Sequence, residues 1–235
     1  MPDFTPATSG LKRVTRKGFL KSFAFGVAGA ALLPFIDKLP AGVQSKLRRF
    51  LRPPGALPEQ AFLDSCIACG QCANVCPNKC ISLYGMEAGV KNLGTPKISA
   101  RAQACTLCMA CTQVCPTGAL EKLEPTEEGK LAVNMGLAFI STDLCYSFSG
   151  RTCGVCYRAC PLPGKAMKLG LYEQPHINPD YCVGCGLCEQ ACVQMPQAIR
   201  TIPRAELEKH GRPKQTQTRE FVSEFWKDIK LDEEK

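Results

Sequence analysis

Four times between residues 66 and 192 the chain gathers four cysteines into a short run, and this repetition restricts what it can fold into more than any other feature. The first run is CIACGQCANVCP, with Cys66, Cys69, Cys72 and Cys76 followed by Pro77. The second, CTLCMACTQVCP, holds Cys105, Cys108, Cys111 and Cys115 before Pro116. In the third, Cys145, Cys153, Cys156 and Cys160 precede Pro161, and the first gap is stretched from two residues to seven. The fourth has Cys182, Cys185, Cys188 and Cys192, with its proline displaced to Pro196. Sixteen of the 17 cysteines fall into these runs, leaving Cys80 over.

Such spacing suits an iron–sulfur cube. One tight loop can wrap three thiolates around three corners, while the fourth cysteine, expected to start a short helix, reaches across to a neighbouring centre. Disulfides are a poorer fit, because three cysteines within seven residues, repeated, leave little room for a framework of bridges. Structural zinc prefers two well-separated CxxC pairs, often with histidine. Here the histidines are two, His176 and His210, and a surface role is expected of His176. All sixteen clustered cysteines are therefore candidate ligands of four 4Fe–4S clusters. Spacing leaves the pairing open. Run one can pair with two and three with four, so that Cys115 completes the first centre, Cys76 the second, Cys192 the third and Cys160 the fourth. Alternatively, two pairs with three inside a pair of one with four. Cys80 reads as a small buried hydrophobe.

The net charge of +8 resembles a nucleic-acid signal until it is located. Residues 1–52 hold ten Lys/Arg against two Asp/Glu, whereas residues 53–235 hold nineteen of each. The body is neutral before thiolates and metal are counted, and it lacks the concentrated basic face that nucleic acid requires. Few large hydrophobes are available, with 11 Phe, 5 Tyr and 1 Trp. A body of this composition is expected to be held together by its metal centres as well as by apolar burial. There is no phosphate-binding glycine loop and no nucleophile–base constellation, so a substrate site is not expected.

The basic N-terminus carries Thr15-Arg16-Lys17-Gly18-Phe19-Leu20-Lys21 before an apolar stretch from Ser22 to Ile36. This reads as a twin-arginine export signal, with Lys17 where the second arginine belongs. The fifteen residues between Lys21 and Asp37 are short of the ~20 that a spanning helix needs. No clear cleavage site follows, so the segment is expected to remain as a tether. Export of this kind carries folded, loaded proteins, in keeping with clusters assembled in the cytoplasm.

The expected fold is α+β, with tandem two-cluster ferredoxin-like modules of short hairpins and short helices around the clusters, preceded by a signal helix. Residues 1–40 form the signal, 41–60 a basic, proline-broken linker, 61–204 the four-cluster domain and 205–235 a charged tail. Glu59 to Cys66 is expected to be helical. Each interval between runs, including TGALEKL and MGLAFIS around EPTEEGK, reads as two strand pieces about a turn. In the tail, Phe221, Val222, Phe225, Trp226 and Ile229 make an apolar stripe at helical spacing.

The sequence resembles the NapG/MauM family of ferredoxin-type proteins. The resemblance runs from the signal to about residue 203 and rests on LRPPGAL (51–57), MGLAFISTDLCYSFSGRTCGVCYRACP (135–161) and CVGCGLCEQACVQMPQAI (182–199). It implies a periplasmic protein, associated with the cytoplasmic membrane, carrying four 4Fe–4S clusters. NapG-type members pass electrons from a polytopic membrane quinol-oxidising protein toward periplasmic nitrate reductase or its cytochrome, and MauM-type members belong to methylamine oxidation. The implied role is electron transfer rather than catalysis. Its rivals are an electron-transfer subunit of another molybdenum oxidoreductase, an enzyme with its own substrate site, and a maturation protein whose clusters are structural.

Overall fold

A computed structural model describes residues 50–211 together with 216 and 217. They fall within one compact unit, Gly42–Lys235. The export signal and the apolar stripe of the tail lie outside the described residues.

The elements are short and come in a repeating order. Helix α1 (Glu59–Ser65) leads into the first run, as the sequence suggests. Helix α2 (Gln71–Val75) lies within that run, and strands β1 (Ile81–Leu83) and β2 (Pro96–Ile98) follow as an antiparallel hairpin with Ile81 opposite Ile98. Helix α3 (Ala110–Gln113) belongs to the second run. After α4 (Glu127–Leu131) and β3 (Gly136–Ile140), the pattern recurs. Helix α5 (Val155–Ala159) is in the third run, β4 (Met167–Leu169) and β5 (Pro175–Ile177) form the hairpin, and α6 (Leu187–Ala191) is in the fourth run. Strand β6 (Ile199–Pro203) and helix α7 (Arg204–His210) close the described chain.

The interval between the second and third runs departs from the expected hairpin. Strand β3 pairs antiparallel with β6, five residues against five, and closes the second half. The other piece, at Leu120, makes an isolated bridge to Ala56 and closes the first half. Between them the second half of EPTEEGK, from Glu127, is helix rather than turn, because the Thr126 hydroxyl accepts from the Gly129 N–H at 3.1 Å and caps α4. Each half thus joins its own first and last segments. Strand β3 is buried on both faces, which suits its unbroken apolar run.

The domain begins earlier than expected. Residues 51–57 are part of it rather than a linker. Leu51 is buried and exchanges backbone hydrogen bonds with Ile98, at 3.0 and 2.8 Å. Arg52 is the pivot of this corner. Its guanidinium grips Glu59 through both carboxylate oxygens (2.6 and 3.1 Å) and donates to Thr95 Oγ1, the Pro96 carbonyl and Asn92 Oδ1. It also lies 4.7 Å from the Phe62 ring centroid and 5.3 Å from that of Tyr84. A planar fork with this many partners is a structural anchor. At the other end, Leu207 on α7 is buried, and the Thr216 hydroxyl donates to the Ile177 carbonyl at 3.1 Å. Residues 204–210 and Thr216 of the expected tail therefore pack on the domain.

Candidate metal centres

The cysteine loops share one backbone solution. Between the first and second cysteines of runs one, two and four, Ala68, Leu107 and Gly184 take positive φ of 54°, 58° and 71°. Between the second and third, Gly70, Met109, Gly154 and Gly186 do so in all four runs. Each left-handed residue turns the chain so that successive cysteines face one interior. Leu107 and Met109 adopt it despite a cost of roughly 1 kcal/mol each. Both are almost wholly buried, so packing holds what local preference opposes. The residue after the second cysteine caps a short helix that carries the third. The fourth cysteine stands at or just past the end of that helix rather than at its start. The helix is what separates third from fourth and sends the latter to another site.

Four cavities among the described residues are walled by these cysteines. Cys66, Cys69, Cys72 and Cys115 line one, with Phe62, Ala119 and Leu120. Cys105, Cys108, Cys111 and Cys76 line the second. Cys145, Cys153, Cys156 and Cys192 line the third, and Cys182, Cys185, Cys188 and Cys160 the fourth. The thiols of each set surround a volume instead of closing on a point, as they would around a single ion. Of the two pairings the sequence left open, this geometry follows the sequential one.

The donor sets suit a bound metal–sulfur group. Burial, reinforced by neighbouring cysteines, pushes the thiols of Cys111 and Cys156 up to about 12 and that of Cys72 up to about 11. Burial pushes Cys185 up to about 12 as well. Four crowded thiols in an apolar hollow keep their protons until a cation replaces them. Cys115 goes the other way. Burial raises it, but backbone donors at Leu120, Thr117 and Ala119 outweigh that and hold the thiol below its usual range. Hydrogen bonds to sulfur of this kind tune cluster potentials.

Cys80 occupies the position filled by Ala119, Ala166 and Ala198 in the other repeats. All four are buried, so its reading as a small hydrophobe describes its packing. It is also more than that. Cys80 Sγ lies 3.6 Å from Cys76 Sγ and lines the second cavity. A hydrogen bond from Cys80 lowers the Cys105 thiol and holds the proton on Cys80. One sequence signal could have found it, namely a thiol in a slot where three sister repeats carry alanine.

The two halves meet at their ligand loops. The Cys105 N–H donates to the Cys185 carbonyl at 3.1 Å. A Cβ on Gly186 would stand 2.5 Å from the Ala100 side chain, so this approach requires glycine on two grounds, contact and a φ of 83°. Arg101 donates to the carbonyls of Glu189, Gln190 and Cys192 at the end of α6, at 3.3, 3.3 and 3.0 Å. The Ala104 N–H donates to Gln190 Oε1 at 3.2 Å. His176 is exposed on β5, edge-on to Phe148 at 6.4 Å, and lines none of the four cavities.

Comparison with known proteins agrees with this architecture. A family profile described as a 4Fe-4S dicluster domain matches residues 65–119 and again 149–194, one match to each half. The methylamine utilization ferredoxin-type protein MauM of Paracoccus denitrificans is 36% identical over 209 residues, covering 83% of this chain and 91% of that protein. The ferredoxin-type protein NapG of Escherichia coli is 34% identical over 219 residues, covering 84% and 91%. The ferredoxin-type protein NapF of Escherichia coli is 30% identical over 145 residues, covering 60% and 79%. A chain with these repeated cysteine loops is an iron–sulfur electron-transfer protein with 4Fe–4S domains. It belongs to the NapG/MauM family of ferredoxin-type proteins.

Proposed function

We propose that this chain holds four 4Fe–4S clusters on the four cysteine sets and relays electrons from a polytopic membrane quinol-oxidising protein to a periplasmic reductase or its cytochrome, with nitrate reductase as the terminal enzyme. Bound at such a set, a cluster takes up and gives back one electron at a time. The contribution of the protein is placement. The observation that carries the reading is the Cys105–Cys185 hydrogen bond, which joins the second and fourth sets backbone to backbone. Within each half the sets are already interlocked, since α2 holds Cys72 of the first set and ends at Cys76 of the second. Likewise α5 holds Cys156 of the third set and ends at Cys160 of the fourth. The order of transfer along the chain is therefore first, second, fourth, third. The ends are dressed for partners, with Ile67 64% exposed beside the first set and Val193 59% exposed beside the third.

The test is reduction by quinol. Purified anaerobically and mixed with membranes containing the quinol-oxidising partner, the protein is expected to lose its visible cluster absorbance on adding quinol, and to regain it when nitrate reductase and nitrate follow. Clusters that stay oxidised with partner and quinol present overturn the relay. The name of the Paracoccus relative supports a second destination, methylamine oxidation. It gains if a methylamine-oxidising system exchanges electrons with the reduced protein where nitrate reductase does not.

The proposed location is the periplasmic face of the membrane, reached folded by the twin-arginine route. Replacing Arg16 and Lys17 together with glutamine is expected to strand loaded protein in the cytoplasm. Fractionation that finds this variant exported at the normal level removes the twin-arginine assignment.

A further inference from the structure

The stretched gap of the third run calls for an explanation, because the other three runs close their loops without it. Residues Tyr146–Ser149 form a single tight turn there, followed by Gly150 at a φ of 82°. The turn is pinned at both ends. The N–H groups of Phe148 and Ser149 donate to the Cys145 carbonyl at 3.1 and 3.2 Å, and the Arg151 N–H donates to the Tyr146 carbonyl at 3.0 Å. Gln174 Nε2 reaches the Ser147 carbonyl from the neighbouring hairpin at 3.4 Å. This fixes Ser147 with 1% of its surface exposed, in the wall of the cavity lined by Cys145, Cys153, Cys156 and Cys192.

The Ser147 hydroxyl is buried and has no hydrogen-bond partner. A hydroxyl taken out of water without a partner is costly and seldom left so. The other hydroxyls on the four cavity walls, Thr106, Thr117 and Tyr146, belong to exposed residues, so among the described residues Ser147 is the one buried hydroxyl in these walls. The acceptors this cavity would offer it are sulfur atoms.

We propose that Ser147 donates its O–H to a sulfur of the cluster held by Cys145, Cys153, Cys156 and Cys192, and that the stretched gap exists to deliver this donor. The inference rests on the reading of that set as a cluster site. A hydrogen bond to sulfur favours the more negative, reduced form, so it makes this one centre easier to reduce. Ser147 is a positioning and tuning residue, not a ligand.

The experiment compares wild type with Ser147→Ala by potentiometric titration followed by electron paramagnetic resonance, with iron and sulfide measured on each sample. The expected result is full iron content in both and a negative shift of one centre in the variant. Exchange of the wild type into deuterated water supplies a second measurement, which does not depend on the variant folding. At this cluster one exchangeable deuteron coupling beyond those of the backbone N–H donors is expected in wild type and lost in Ser147→Ala. Unchanged potentials at full iron content overturn the proposal, as does absence of this additional coupling in wild type. Loss of iron from the variant with no shift in the centres that remain also overturns it, making Ser147 structural. Wild-type protein without iron sinks the cluster reading instead, and is distinguished by the metal analysis alone.

Discussion

Stripping the iron from the folded protein, with an oxidant and a chelator under denaturant-free conditions, is expected to abolish most of its helical circular dichroism and its resistance to proteolysis. The secondary structure cannot stand alone. The four helices of the cysteine runs are four or five residues long and both hairpins pair three residues against three. Isolated helices below roughly 12–15 residues are marginal in water. Much of the buried core is cysteine, including Cys72, Cys76, Cys105, Cys111 and Cys185. Removing the metal therefore takes away the material around which the two halves condense. Any fold that remains should also respond to pH in a set direction. Cys72, Cys111, Cys156 and Cys185 have thiols raised from 9.0 to about 11 or 12 in the fold. Their contribution to the metal-free fold is fully present below pH ~9 and is lost as pH rises toward 11–12, because only the unfolded chain ionises readily there. Circular dichroism across that range checks it. Metal-free protein that keeps its full spectrum and melts cooperatively would refute the dependence on metal.

Replacing Cys156 with alanine is expected to remove about one quarter of the iron and sulfide, or to convert one centre to a three-iron form, while the first half keeps its signals. Cys156 is in the third set, whereas Cys160, four residues on, is in the fourth. Cys156→Ala and Cys160→Ala should therefore damage different centres although Cys156 lies on the short helix that Cys160 ends, and the double variant should lose about half of the iron. Element analysis with spectra of the reduced protein decides this. Iron content unchanged in Cys156→Ala removes that cysteine from the ligand set. Identical spectral losses in the two single variants would contradict the sequential pairing.

The thiol spacing was legible because its chemistry is local. Three cysteines within seven residues have few other uses, and the resemblance to the NapG/MauM family followed from the same stretches. What stayed illegible depended on distant partners. Arg52 sits between a basic run and two prolines, which is how a linker looks. Its identity as an anchor comes from Glu59 seven residues away and from Asn92 and Thr95 some forty residues away. The strand 136–140 was visible as an apolar run, but its partner at 199–203 was not, because alternation says nothing about which edge a strand seeks. The same holds for the choice between the two pairings, since both satisfy the loop lengths. Leu107 and Met109 in left-handed backbone are a further case. Glycine marks such turns at Gly184 and Gly186, and nothing in a leucine or a methionine announces one. The end of the cluster domain was set too early for a related reason, because the Thr216 anchor becomes visible only beside Ile177.

The seam formed by Arg101, Ala104 and Cys105 against Glu189, Gln190 and Cys185 has a mechanical consequence. Leu162, Ala166 and Val183 from the second half share a single apolar core with Leu51, Phe62 and Ile98 from the first. With side-chain packing, the half-buried Arg101 guanidinium and a ligand-to-ligand peptide bridge all crossing the same boundary, the described residues form no joint between the two halves. The molecule's current cannot be throttled by swinging one half away from the other. In the proposed relay, control over when charge flows then belongs to the partners that dock beside the first and third sets.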